Sequence, residues 1–409
     1  MKKRPSTPVV GALICAAMAL AAGTLPAAAQ QAARPQAETP NYCLEVKNTA
    51  ARDMCSAART QYYSGNYRVA QVTMKKAQEA SPKEGIIHAM MARIMMRFGD
   101  RSGAERELRL ARKNGAPDHA VLPLLFRVMV ERREEINLLN EFPEPAPGAK
   151  GMTASDILQG RAQALFSLKR VDEAGAAMDR SLSLGRDPDG LLLRAKIATQ
   201  QRNTGLATKL IDEAYRLNPK DGGVMLARLA QLEQTHDDAG MLAMADQMLK
   251  LYPFSSDARV GRIKVYLKRN QDAKAKAEID AMLVRASVPV AIYYKAVLLA
   301  RAHDKKGAAQ TVQMLPPEFV KSYPEYAVQM AQIASDNGSV ESSAAILGAA
   351  LSVAPDLIDA RLKLASLRLS QNSPQSALLV LSPAQDSKDP RVQKLLGEVR
   401  ARIAKDRAF

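Results

Sequence analysis

From about residue 42 onward, apolar residues recur at helical spacing in stretches separated by short breaks, and strand-like alternation is scarce. The pattern predicts helices joined by tight turns. The breaks keep a period: Gly65 and Gly99, Ala70 and Ala104, and Pro219 and Pro253 are each 34 residues apart, and Pro253 and Pro355 are three such steps apart. A fixed period of this length predicts an all-α array of repeated helical hairpins. One stretch, Phe142 to Gly151, is rich in Pro and Gly and interrupts the array as an extended loop or hinge. In the tail, Val392, Leu395, Leu396, Val399 and Ile403 fall on one helical face with Lys394, Glu398 and Lys405 opposite, as expected of a helix that shields the last hairpin from water.

Residues 1–29 follow a different rule. Lys2, Lys3 and Arg4 precede an apolar run from Val9 to Leu20, and Ala27, Ala28 and Ala29 precede Gln30. This is the order of a secretory signal peptide cleaved after Ala29. A spanning helix is the competing reading, but Gly23 and Pro26 break the run and no stop-transfer pattern follows. Bulky Ile14 ahead of Cys15 argues against lipoprotein processing there. No second apolar run of about 18 residues follows, so the expectation is a soluble periplasmic chain with no transmembrane span after cleavage. Cys43 and Cys55 are then the only cysteines, in a compartment that permits a disulfide. Twelve residues of continuous helix would hold them about 18 Å apart, against the roughly 5.5 Å that a disulfide needs. If they are joined, the chain between Val46 and Ala50 must fold back, as a structural staple and not a redox pair.

Composition narrows the chemistry. With 47% apolar residues the chain is too hydrophobic to be disordered, and only four His remain besides the cysteines, at His88, His119, His236 and His303. No C-x-x-C, H-E-x-x-H or C-x-x-C-H spacing exists, so no metal site or cofactor is expected. Nor is there a phosphate-binding, dinucleotide-binding or nucleophile-elbow motif, and the chain is read as no enzyme. His88 and His236 read as packed or surface histidines at helical positions, and the cluster Met90, Met91, Met95 and Met96 reads as gap-filling core. Charge is the more informative signal: 58 Lys plus Arg against 42 Asp plus Glu give +16, and two stretches, Lys83–Arg133 and Asp257–Glu278, are locally basic. Solvated helix faces are the plain reading of such stretches; a basic groove is the sharper one.

The period and its internal pattern resemble the tetratricopeptide repeat (TPR). In one copy Met54, Ala57 and Ala58 lie on the first helix, Gly65 and Asn66 turn the chain, Ala70, Met74 and Ala77 follow on the second helix, and Pro82 ends it. A second copy has Met91, Ala92, Gly99, Ala104, Leu108 and Ala111, and a third has Leu191, Ala195, Ala198, Ala207, Ile211, Ala214 and Pro219. Small residues suit helices packed about 8–10 Å apart. The resemblance spans residues 44–388, at most ten units. Those near 118–142, 290–320 and 324–356 depart from the pattern, and the first-helix Trp is absent. It implies a right-handed superhelical α-solenoid organised as signal peptide 1–29, linker 30–43, a first block 44–141, the loop 142–151, a second block 152–388 and a capping helix 389–409.

Transferring the family's groove positions places Arg59, Tyr62, Tyr63, Arg93, Arg97, Lys196, Lys264 and Lys268 on a concave partner-binding face. A narrower resemblance, carried by the runs Ala120–Met129, Glu135–Phe142, Asp280–Leu283 and Ala291–Arg301, is to the TPR proteins of PEP-CTERM and exosortase exopolysaccharide systems. Together these imply a non-catalytic scaffold that binds envelope proteins, including components of polysaccharide synthesis or export. The alternative is direct, salt-dependent binding of an anionic polymer such as an acidic glycan. Export argues against nucleic acid as the partner.

Overall fold

The computed structural model describes residues 41–284 and 288–407, which are helical with no strand among them. The signal peptide and most of the linker read from the sequence lie outside the described residues. The chain divides into two units, one ending at residue 269 and one beginning at residue 270.

The first unit opens with a 3-10 turn, Tyr42–Glu45, followed by α1 (Thr49–Tyr63) and α2 (Tyr67–Ala80), α3 (Gly85–Arg97) and α4 (Arg101–Lys113), and α5 (Asp118–Glu131) and α6 (Glu135–Glu141). It continues through α7 (Met152–Ser167) and α8 (Val171–Leu184), α9 (Pro188–Gln200) and α10 (Thr204–Leu217), α11 (Gly222–Gln234) and α12 (Asp238–Leu251), and α13 (Ser256–Lys268). The second unit holds α14 (Asp272–Leu283), α15 (Pro289–Arg301), α16 (Lys305–Gln313), α17 (Phe319–Ser322), α18 (Ala327–Asp336), α19 (Val340–Val353), α20 (Ile358–Ser370), α21 (Pro374–Leu381) and α22 (Pro390–Arg407). In each unit neighbouring helices pack as hairpins and each hairpin packs on the next, the arrangement of an all-α solenoid. In the first unit α1, α3, α5, α7, α9, α11 and α13 also touch in sequence, whereas the second helices make no comparable contact with one another. The first helices therefore form the inner row.

One backbone device closes every hairpin. Within each unit the turns between paired helices contain a residue with positive φ: Gly65, Gly99, Arg133, Lys169, Arg202, His236, His303, Gly338 and Asn372. The amide that follows reaches back five residues, as in Asp100 to Met95 O (3.1 Å), Glu134 to Met129 O and Asp304 to Leu299 O (both 2.9 Å). This left-handed closure satisfies carbonyls at the end of the first helix and reverses the chain in two or three residues. Arg133, His303 and Gly338 belong to the units that departed from the sequence pattern, so those units keep the turn while losing its glycine or its flanking alanines. His236, expected at a helical position, instead sits exposed in a left-handed turn.

The next helix is then capped. Asp100, Asp187, Asp237 and Asp304 each accept a hydrogen bond of 2.8 Å from the amide of the glycine three residues on. A Cβ on Gly103 would lie 2.2 Å from Asp100 Oδ2, so a larger residue there would displace the capping carboxylate. The core between hairpins is built from Ala51, Cys55, Ala58, Ala70, Met74 and Ala77 in the first unit's opening pair, all at 0% exposure. Ala57, read as a contact residue, is exposed instead, one position off the buried stripe. Cys43 and Cys55 are joined, Cα atoms 5.6 Å apart, and the chain between them folds the 3-10 turn back over α1. At the far end Val392, Leu396, Val399 and Ile403 of α22 are buried against α20 and α21.

The turn geometry gives opposite signs for two substitutions. Gly99→Ala, at φ 77°, should cost about 1 kcal/mol, while Lys169→Gly, at φ 64°, should gain about 0.5 kcal/mol because the β-carbon is what the left-handed region penalises. Thermal unfolding of the two variants measures both.

Candidate partner-binding surface

The inner row carries its most concentrated chemistry at its N-terminal end. Arg59 and Tyr62 lie one turn apart on α1, Tyr63 follows, Tyr67 opens α2 and Arg97 closes α3, so the first hairpin turn and the adjacent helix end bring five side chains together. The Arg59 guanidinium lies 5.0 Å from the Tyr63 ring centroid. Arg97 lies 5.6 Å from the Tyr62 ring and 5.2 Å from the Tyr67 ring, and its Nε donates to Tyr62 Oη at 3.1 Å. Tyr62 meets Tyr63 and Tyr67 edge-on, with both centroid separations 5.3 Å. Guanidinium stacked on aromatic faces is held in a fixed orientation at little further entropic cost, which suits recognition. Tyr67 was absent from the residues read off the sequence, because the transferred positions fall on first helices and Tyr67 begins a second one.

Arg93 sits one turn earlier on α3, in a narrow cleft with Tyr42, Ile86, Met90, Ala120 and Leu124, and its Nε is buried without a hydrogen-bond partner among the described residues. Tyr42 also meets His119 of α5, with the rings 5.4 Å apart. Asp156, on α7, has a buried Oδ2 with no hydrogen-bond partner there. Burial pushes its carboxyl up to about 6; His119 opposes the shift, and Asp187 and Asp118 add to it. This carboxylate was not among the residues singled out from the sequence, since nothing local to Asp156 announces a desolvated site.

The remaining predicted cations stand apart from the cluster. Lys196 on α9 lies 5.3 Å from the Phe166 ring on α7, and burial, with Lys169 nearby, pulls its pKa down. On α13, Lys264 bonds both carboxylate oxygens of Glu233 at 2.7 and 2.9 Å, and Lys268 bonds Asp238 at 2.8 Å. These two lysines staple one hairpin to the preceding one. They do not present unpaired charge to a groove.

No family model matches the chain, and no curated protein matches it. Among solved structures it is similar to yeast Tom70, at 14% identity over 90% of this chain and 91% of that one, with a TM-score of 0.46. It is also similar to pilF of Pseudomonas aeruginosa, at 19% identity over 53% of this chain and 97% of that one (TM-score 0.35), and to a tetratricopeptide repeat protein from Parabacteroides merdae, at 13% identity over 68% and 99% (TM-score 0.36). Among the described residues no helix is long and apolar enough to cross a membrane.

Asp156 supplies a pH test of this surface. Because its folded pKa is raised above the unfolded value, the folded state holds the proton more tightly, and stability falls as pH rises from about 4 through about 6. Asp156→Asn should therefore be more stable than the parent by about 1 kcal/mol at pH 7.5, discounted for partial solvent access, and no more stable at pH 4. Chemical denaturation at the two pH values measures the difference.

Proposed function

We propose that this chain is a non-catalytic scaffold, exported to the periplasm by its leader, that binds an envelope protein along the inner row of its first unit, in the assembly or export of a surface polysaccharide. The observation that carries the reading is the cluster of Arg59, Tyr62, Tyr63, Tyr67 and Arg97 at one end of that row. Tyrosine and arginine dominate the energetic centres of protein interfaces, because both offer large contact area together with hydrogen-bonding groups at low conformational cost. The desolvated Asp156 further along the same row is the kind of strained group that binding sites retain at the expense of stability. The placement in a polysaccharide pathway rests on the resemblance of the four sequence runs described above.

A groove for an acidic glycan has less support. That reading draws on the basic stretches, and in the Asp257–Glu278 stretch Lys264 and Lys268 are already compensated by Glu233 and Asp238. Arg101, Arg109 and Arg132 of the other stretch are likewise paired, with Glu131, Glu141 and Glu105.

Capture from envelope extracts under mild crosslinking tests the scaffold reading. The parent chain should recover a defined protein, and Arg59→Ala/Arg97→Ala, with an unchanged far-ultraviolet spectrum, should recover less than a tenth as much. Equal recovery by both, or no protein recovered by the parent, counts against it.

A further inference from the structure

The third hairpin of the first unit is incomplete, and the incompleteness makes a cavity. α2, α8, α10 and α12 each have 14 residues, whereas α6 has 7. Two helical turns, about 10 Å of second helix, are missing. Pro143, Pro145 and Pro147 explain the stop: proline lacks the amide the helix needs and clashes with the preceding turn. On one side α5 and α7 close directly on each other, so tightly that a Cβ on Gly160 would lie 2.1 Å from the Phe126 ring. On the other side a cavity of about 460 Å³ remains, lined by Arg112 of α4, the chain from Glu141 to Pro145, Lys150, and Thr153, Ala154 and Ile157 of α7. It is an open groove on the surface and not an enclosed pocket.

The loop that forms its wall is anchored from both sides. Arg161 donates to Leu139 O (2.9 Å) and Phe142 O (2.7 Å), and Arg180 pairs with Glu144 and donates to Pro145 O (3.0 Å). Arg109 holds Glu141 through two bonds of 2.7 and 2.9 Å. Both acidic residues of the lining are thus neutralised by arginines. Arg112 binds Asp118 at 3.1 Å and covers the buried Phe142 ring at 5.4 Å. Lys150 is exposed and has no ion-pair partner among the described residues. The cavity therefore offers aliphatic walls, from Pro143, Pro145, Ala154 and Ile157, beside one uncompensated cation. Phe142 is covered, so no aromatic platform is available for a sugar ring.

We propose that this cavity is a second docking site, which takes a short acidic and aliphatic segment of a protein partner: aliphatic side chains occupy the space left by the missing turns of α6, and a carboxylate pairs with Lys150. The site shares with the scaffold reading the premise that the partner is a protein, and although it borrows Thr153, Ala154 and Ile157 of α7 it uses none of the Arg59, Tyr62, Tyr63, Tyr67 and Arg97 cluster.

The probe is the blocked hexapeptide acetyl-Ala-Leu-Glu-Leu-Glu-Ala-amide, titrated into the full chain with Ile157 and Ala154 methyl signals as the site-specific readout. Those methyls should shift on titration, and the affinity should fall at least fivefold for Lys150→Glu and for the probe with both Glu replaced by Gln. Lys220→Glu, which changes the net charge equally elsewhere on the surface, should leave the affinity unchanged. Absence of the methyl shifts, equal binding of the Glu and Gln probes, or equal weakening by Lys150→Glu and Lys220→Glu overturns the proposal, and so do the same shifts produced by oligogalacturonate. Capture that depends on Arg59 and Arg97 is independent of every one of these results, so failure here is distinguishable from failure of the inner-row scaffold.

Discussion

The closure of each hairpin by a residue in the left-handed region is the constraint on which the architecture depends. A helix ends with carbonyls that need donors, and the Schellman-type bond supplies them while turning the chain within two or three residues. That short reversal keeps paired helices antiparallel and close, which in turn demands alanine at the buried contacts. Asp100, Asp187, Asp237 and Asp304 then restart helices from the other side of the turn or connection by satisfying the first amides. The pattern tolerates Arg133, Lys169, Arg202 and His303 at a strained backbone position because the surrounding bonds determine the turn more strongly than the residue's own preference does.

A stack of such hairpins has little sequence-distant core, so contacts one repeat apart matter more than in a compact domain. The basic residues are recruited for this. Lys264 with Glu233, Lys268 with Asp238, Arg101 with Glu131, Arg301 with Asp272 and Arg391 with Asp359 each join residues about one hairpin apart within a unit. Individually such partly exposed pairs contribute little, on the order of 0–1 kcal/mol. Their consequence is for recognition: a cation bound to its neighbour's carboxylate is not available to attract a distant anion. What stays distinctive on the inner row is the arginine and tyrosine cluster, where the cations lie on aromatic faces.

The interruption at 142–151 fits the same physics. Breaking a second helix after seven residues removes packing that the stack must recover, and it is recovered by pressing α5 onto α7 through Gly160 and by anchoring the loop with Arg109, Arg161 and Arg180. The space that remains is a product of the chain's departure from its own repeat.

Much of the fold was legible in the residues alone. The 34-residue spacing, the alanine stripes, the Pro stops and the amphipathic tail are local or periodic signals, set by propensity and by which positions share a helical face. The residues Gly65 and Gly99 announced two of the turns; Arg133, Lys169 and His236 do not announce theirs by residue type, because their left-handed conformation is imposed by the backbone bond that closes the turn and not by the residue's own preference. The candidate surface was legible in part for the same reason. Arg59, Tyr62, Tyr63 and Arg97 follow from position within the repeat, but Tyr67's membership, the desolvation of Asp156 and the pairing of Lys264 and Lys268 are settled by neighbours about thirty residues away, across a distance that no local pattern encodes.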